Sequence, residues 1–252
     1  MTRAPLRQAY IPSHGRVLSA PHGSTARRVT TLFLLVAALS GCAMRHVEPQ
    51  VAGSPAWWGA HFYIDWPAES EPRWYLDAML AKEVVAPAFA EDRHAIPYWR
   101  VHRRALRDGG GHNFSFQFYA PPEAARRVFA RLRGQPALAD LLRRGRVLRV
   151  ATDDPSHPGA SAVAATSDPA WPYPLRQAWP SYIMGVSEFW LGLIDQLVAK
   201  RRGPRDEALY QAVQEELTEL WAEWGQHALF HHASGVFAYR PIVIDRRVAV
   251  KF

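Results

Sequence analysis

"YWRVHRRALRDGGGHNFSFQFYA", residues 98–120, decides how this chain folds. Phe114, Phe116 and Phe118 alternate with Asn113, Ser115, Gln117 and Tyr119, the period-two pattern of a strand with one apolar face. The run "YWRVHRRAL" before them is also strand-like. Three glycines after Asp108 supply positive φ for a turn between the two, so the segment reads as a β-hairpin.

Toward the N-terminus, "HFYIDW" (61–66) alternates as well, with Phe62, Ile64 and Trp66 on one side and His61, Tyr63 and Asp65 on the other. "SEPRWYLDAMLAKEVVAPAF" (70–89) then predicts a helix capped by Ser70, with Pro72 in its first turn and an end near Pro87. Trp74, Leu76, Met79, Leu80 and Val84 form its apolar stripe. Toward the C-terminus, "PPEAARRVFARLRG" (121–134) and "PALADLLRRG" (136–145) predict two helices before the strand "RVLRVAT" (146–152). The order β-α-β-β-α-β predicts an α+β fold of ferredoxin-like type, an antiparallel sheet covered on one face.

Six prolines between residues 153 and 180 predict an irregular linker, pinned by Trp171, Tyr173 and Trp179. Beyond it, Ile183, Val186, Trp190, Leu193 and Leu197 mark one long helix. Leu209, Val213, Leu217, Leu220 and Trp224 mark a second, so an antiparallel helix pair is expected, followed by a terminal β hairpin or strand. The expected boundaries are a leader over 1–41, a tether over 42–58, the ferredoxin-like part over 59–152, the linker over 153–180, and the helical pair with terminal strands over 181–252, packed on the same domain.

Charge and cysteine usage narrow the function. The formal net charge is +7, but residues 1–41 hold five arginines and no acid, leaving 25 basic against 23 acidic residues from Cys42 onward. A basic leader is no reason to expect nucleic acid as a partner. Cys42 is the single cysteine, which excludes an internal disulfide and any CxxC site. An apolar run from Val29 to Leu39 follows Arg27-Arg28; at about 16 Å of helix it falls short of a bilayer core of about 30 Å and reads as a signal-peptide core.

Leu39-Ser40-Gly41-Cys42 resembles the lipobox of bacterial lipoproteins. The resemblance implies diacylglycerol on the Cys42 thiol, cleavage before it, acylation of the new amino terminus and attachment to the cell envelope through that lipid. Ala43 implies the outer membrane, facing the periplasm. The Arg27-Arg28 pair also resembles a twin-arginine export signal, although Thr30 and Thr31 stand close behind it where that signal carries apolar residues. A second resemblance runs through "HFYID", "LAKEVVAP", "YWRVHRR" and "GGGHNFSFQFYAPPE". This layout is similar to the elimination-type domains of lantibiotic and thiopeptide dehydratases, and it implies a fold only; no catalytic residue is carried over.

The chain contains no GxGxxG after a strand, no GxxxxGK[ST], no GxSxG and no HExxH, so the common enzyme signatures are missing. Two groups remain. His227 and His231 lie four apart on one helical face with His232 adjacent, a spacing that suits zinc, copper or haem iron given a third ligand such as His61 or His102. The same positions continue the apolar stripe of that helix, which predicts packing in the core instead. The other group is the sheet face opposite the phenylalanines, where His61, Tyr63, Asp65, Arg100, His102, Arg104, Ser115 and Gln117 are expected to converge and offer a cationic surface to an anionic ligand or partner. The function expected is a non-catalytic, lipid-anchored binding or interaction module with an envelope protein as partner and no cofactor. The alternative is a metal- or haem-binding protein or enzyme using His227 and His231.

Overall fold

The computed structural model describes residues 53–240, 242–244 and 248–250; the leader, Cys42 and the start of the tether lie outside the described residues. The fold is α+β. Strand β1 (Ala56–Ile64) is followed by α1 (Trp74–Leu80), a π-helical turn (Ala81–Val85) and α2 (Ala86–Ala90). Then come β2 (Tyr98–Ala105), β3 (His112–Ala120), α3 (Pro122–Gly134), α4 (Pro136–Arg143) and β4 (Val147–Thr152). The four strands form one antiparallel sheet in the order β2-β3-β1-β4.

The expected hairpin is β2 and β3, in the register Trp99↔Phe118, Val101↔Phe116 and Arg103↔Phe114. At its turn the Asp108 carboxylate accepts the Gly110 N–H at 2.8 Å, and Gly111 sits at φ +53°, which a side chain would strain. Phe62, Phe114, Phe116 and Phe118 are fully buried on the helical side of the sheet. Phe116 lies 5.1 Å from Phe118 and 5.3 Å from Phe89, while Phe118 meets Phe129 edge-on at 5.5 Å. Each buried ring contributes about 1.5–3 kcal/mol, so these contacts hold the helices to the sheet.

Several boundaries differ from expectation for identifiable reasons. β1 begins at Ala56, inside the stretch assigned to the tether, because Ala56, Trp58 and Ala60 continue the buried side of the strand. It ends at Ile64, so Asp65 and Trp66 lie beyond it. Ser70 does not cap a helix. Its hydroxyl donates to the Pro67 carbonyl at 2.9 Å in a turn, and α1 starts at Trp74. Pro87 does not stop the helix either: it falls at the start of α2, and the wider π register just before it absorbs the missing donor.

Asp92 ties α2 to α3. It is buried, and its carboxylate accepts from Arg127 at 2.6 Å and from Arg131, whose Nε donates to the Ala88 carbonyl at 2.7 Å. The Arg127 hydrogen bond chiefly holds the Asp92 carboxyl below its ordinary pKa, against the opposing effect of burial. A carboxyl depressed in the folded state adds stability that is present above its ordinary value and lost as pH falls through the folded value. Asp92→Asn is therefore expected to melt earlier at pH 7 and to lose less on acidification to pH 3. Thermal scans from pH 7 to pH 3 check this; parallel curves for the two proteins would refute it.

The proline-rich segment is not a loose linker. After β4 it runs back along β1, with Asp153 N–H donating to Gly59 O at 3.0 Å and Trp57 N–H to Ala160 O at 3.1 Å. The Trp57 indole and the Tyr119 hydroxyl hold Val163 and Ser161 carbonyls at 2.9 and 2.6 Å. Helix α5 (Tyr173–Ala199) starts eight residues before the expected Ser181, with Pro174 in its first turn and Pro180 inside it. It pairs antiparallel with α6 (Glu207–Gly225), capped by Asp206, which accepts from Leu209 N–H at 3.1 Å. The pair packs beside the sheet. The Ser187 hydroxyl accepts the Val101 N–H of edge strand β2 at 3.2 Å, and Tyr75 of α1 donates to Glu207 at 2.9 Å. A π turn (Gln226–His231) and α7 (His232–Val236) follow. The terminal strands β5 (Ile242–Ile244) and β6 (Val248–Val250) pair with each other as a small hairpin. No helix among the described residues is long and apolar enough to cross a membrane.

Candidate functional site

The sheet register brings most of the predicted polar face together. Three rows cross it: Gly59, Gln117 and Arg100; His61, Ser115 and His102; Tyr63, Asn113 and Arg104. Arg100 Nε donates to Gln117 Oε1 at 2.9 Å, and Arg104 pairs with Asp108. Asp65 does not join them, because β1 has ended; it binds Arg73 at 2.7 Å at the entrance to α1. Ser115 Oγ donates to Asn113 Oδ1 at 2.6 Å, which leaves His61 Nδ1–H to donate to Ser115 Oγ at 2.9 Å. That polarity is the reverse of a base activating a serine nucleophile, so the trio is a hydrogen-bonded strut.

Desolvation, then the charges of Arg100 and Arg104, lower the His102 pKa from its ordinary value. A histidine whose folded pKa is depressed contributes stability above its unfolded value, near 6.5, that is lost as pH falls through the folded value. Replacing His102 with Gln is expected to flatten the decline in melting temperature between pH 7.5 and pH 5. An unchanged slope would remove His102 from the acid response.

The histidine group is not part of the core. His227 and His232 are exposed and His231 is half-buried. The stripe leaves the core before it reaches them: Leu217 is buried, Leu220 half-buried and Trp224 more than half exposed, and the π turn follows only at Gln226. The His227 and His231 rings stack at 5.1 Å, and His232 stands edge-on to both at 5.3 and 5.4 Å. Neither His61 nor His102 is brought to them. Among the described residues no group of three or more His, Cys, Asp or Glu side chains is placed to hold a metal ion.

An apolar groove of about 910 Å³ lies between α5, α6 and the edge of the sheet. Ile183, Val186, Phe189 and Leu193 of α5 face Leu217, Leu220, Trp221 and Trp224 of α6, and Ala228 and Leu229 close one end. Trp221 and Trp224 stay more than half exposed, at 57% and 54%, so the groove is open to solvent. Its volume lies at the upper end of the range for small-molecule sites, about 300–1,000 Å³.

One charge sits on the groove wall. The Arg103 guanidinium lies between two indoles, 5.1 Å from the Trp74 ring and 4.9 Å from that of Trp190. Its Nε donates to Asp77 at 2.8 Å, and its Nη2 donates to the Trp74 carbonyl at 2.8 Å and to Gln214 at 2.9 Å. Asp77 is fully buried and also contacts the buried His112 Nε2 at 3.0 Å. The sequence carried two signs of this network. Asp77 interrupts the apolar stripe of α1, and strand alternation puts Arg103 on the same side as Trp99 and Val101. A charge on an apolar face signals a buried partner.

No family model matches this chain, and no curated protein matches it. The chain is similar to the solved structure described as "Crystal structure of TsrL", with 16% identity and a TM-score of 0.32, over 64% of this chain and 39% of that one. It thus spans well under half of that protein's length.

Proposed function

We propose that this chain is a non-catalytic binding module of the bacterial cell envelope, anchored through lipid on Cys42, that holds an apolar ligand in the groove between α5 and α6. The open, tryptophan-lined groove carries this reading, because a concave apolar site of about 910 Å³ with Trp221 and Trp224 exposed on its wall has the size and lining of a small-molecule site. The polar groups around it are largely committed to one another: Gln214 Nε2 donates to Thr218 Oγ1 at 3.1 Å, and Asp77 is shared by Arg103 and His112. The strand order and the β-α-β-β-α-β sequence of elements support a ferredoxin-like sheet as the scaffold, with the helix pair added at its β2 edge.

The uncharged probe N-phenyl-1-naphthylamine tests the groove. Its fluorescence is expected to rise on mixing with the protein, and Ala228→Trp, at an exposed position on the groove rim, is expected to weaken binding at least tenfold with little change in melting temperature. Equal binding by the variant would remove the groove from the proposal. Cys42→Ala tests the anchor: the variant is expected to leave the membrane fraction of cells making the full chain, and retention there would refute lipid attachment.

A further inference from the structure

We infer that the domain rests on the bilayer that holds its lipid, through an aromatic face at the N-terminal half of α5 formed by Trp171, Tyr173, Leu175, Trp179 and Tyr182. This rests on the anchor at Cys42 and specifies which side of the domain meets the lipid. Helical spacing builds the face. Leu175, Trp179 and Tyr182 follow one another at four and three residues along α5, and Trp171 joins them from the chain just ahead of the helix. The rings form one cluster, with Trp171 edge-on to Trp179 at 4.8 Å and Trp179 against Tyr182 at 5.4 Å. Tyr173, Leu175 and Tyr182 remain 71%, 48% and 58% exposed.

The route of the chain selects a bilayer as the occupant. Cys42 stands 14 residues ahead of Ala56, so its lipid lies within about 50 Å of the start of β1 even with the chain drawn out fully. That start lies beside the aromatic face. The Trp57 N–H and indole donate to the Ala160 and Val163 carbonyls, and the 3-10 turn Val163–Thr166 packs on both β1 and α5, shortly before Trp171. The anchor therefore draws this end of the sheet toward lipid. Area points the same way. The exposed shares of Tyr173, Leu175 and Tyr182 amount to roughly 300–400 Å², on side chains of about 150–250 Å² each, whereas a stable protein interface takes about 800 Å² from each partner. A contact of the smaller size serves where attachment already keeps the two surfaces together. Composition agrees: Trp and Tyr settle at the headgroup layer with the ring in apolar surroundings and the polar edge in water. From Tyr173 to Ser187 the single charged side chain is Arg176, half-buried, a cation suited to lipid phosphate.

The test uses the full chain, lipidated in cells and reconstituted into vesicles of phosphatidylethanolamine and phosphatidylglycerol. Ser181→Cys and Arg143→Cys each supply one thiol for a nitrobenzoxadiazole maleimide. The first is exposed beside Tyr182; the second is exposed at the end of α4, near the opposite end of the sheet, where Ile64 pairs with Val147. A nitroxide carried on the lipid chains is expected to quench the label at 181 several-fold more than the label at 143. Adding Tyr173→Asp and Leu175→Asp, which an exposed first helical turn tolerates, is expected to remove that difference. Equal quenching at the two positions, or quenching at 181 that survives both aspartates, overturns the docking face while the anchor stands. Quenching at 181 in native envelope membranes but not in the lipid vesicles assigns the face to a protein partner and overturns it too. Labelling of Cys42 itself, in protein with no introduced cysteine, overturns the lipid anchor and this inference together.

Discussion

Asp77→Ala is expected to lower the unfolding free energy by about 3–5 kcal/mol. Asp77 has no exposed surface, and its two oxygens serve Arg103 at 2.8 Å and His112 at 3.0 Å. Removing it strands one cation at the groove wall and one imidazole in the interior, edge-on to the rings of Trp66 and Trp74. The penalty is the exposure of those partners to an environment that cannot solvate them, and it exceeds the worth of the contacts deleted. For a chain of this length such a loss corresponds to a fall in melting temperature on the order of 10 °C. Urea unfolding of the two proteins measures it. A loss below about 1 kcal/mol would mean that the Asp77 carboxylate behaves as a surface charge.

Phe116→Ala should cost a similar amount, about 3–5 kcal/mol, by a different mechanism. Phe116 is fully buried at the centre of the sheet, stacked on Phe118 and flanked by Phe89 and Trp99 at 5.3 and 6.2 Å. Truncation loses the transfer free energy of the ring and leaves a hole that three large aromatic neighbours cannot fill without leaving their rotamers. Phe116→Leu, which refills part of the volume, should recover more than half of the loss. Equal destabilisation by the two substitutions would point to the ring contacts, and not the cavity, as the source.

The aromatic hairpin, the two long C-terminal helices and the polar face of the sheet were legible because each depends on a short-range period. His61, Ser115 and His102 fall in one row for no other reason than that alternation fixes which side chains share a face. Asp65 failed the same rule because a strand's end is set by tertiary pairing, and β1 gives way at a register shift opposite Val147. The histidines failed because periodicity shows which residues share a face and not how far along the helix that face stays covered, and α6 has left the core by Trp224. The groove was invisible for a deeper reason. It forms between residues more than a hundred apart in the chain, Arg103 and Gln214 among them, and only the packing of α5 and α6 beside the sheet brings them together.

The early start of β1 changes how the domain bears load. Residues 56–64 pair with β3 on one edge; on the other, Ala60–Ile64 pair with β4, and the segment after β4 bonds to Trp57 and Gly59. A strand at the margin of a sheet can peel away one bond at a time, but this one is clasped on both sides from its first turns onward. A pull on the chain ahead of Ala56 therefore meets the β3 ladder and the bonds to the segment after β4 together, with the β4 ladder behind them. Resistance to extraction is then a matter of unfolding rate more than of equilibrium stability, and the anchor proposed at Cys42 would load the sheet through an interior strand and not a marginal one.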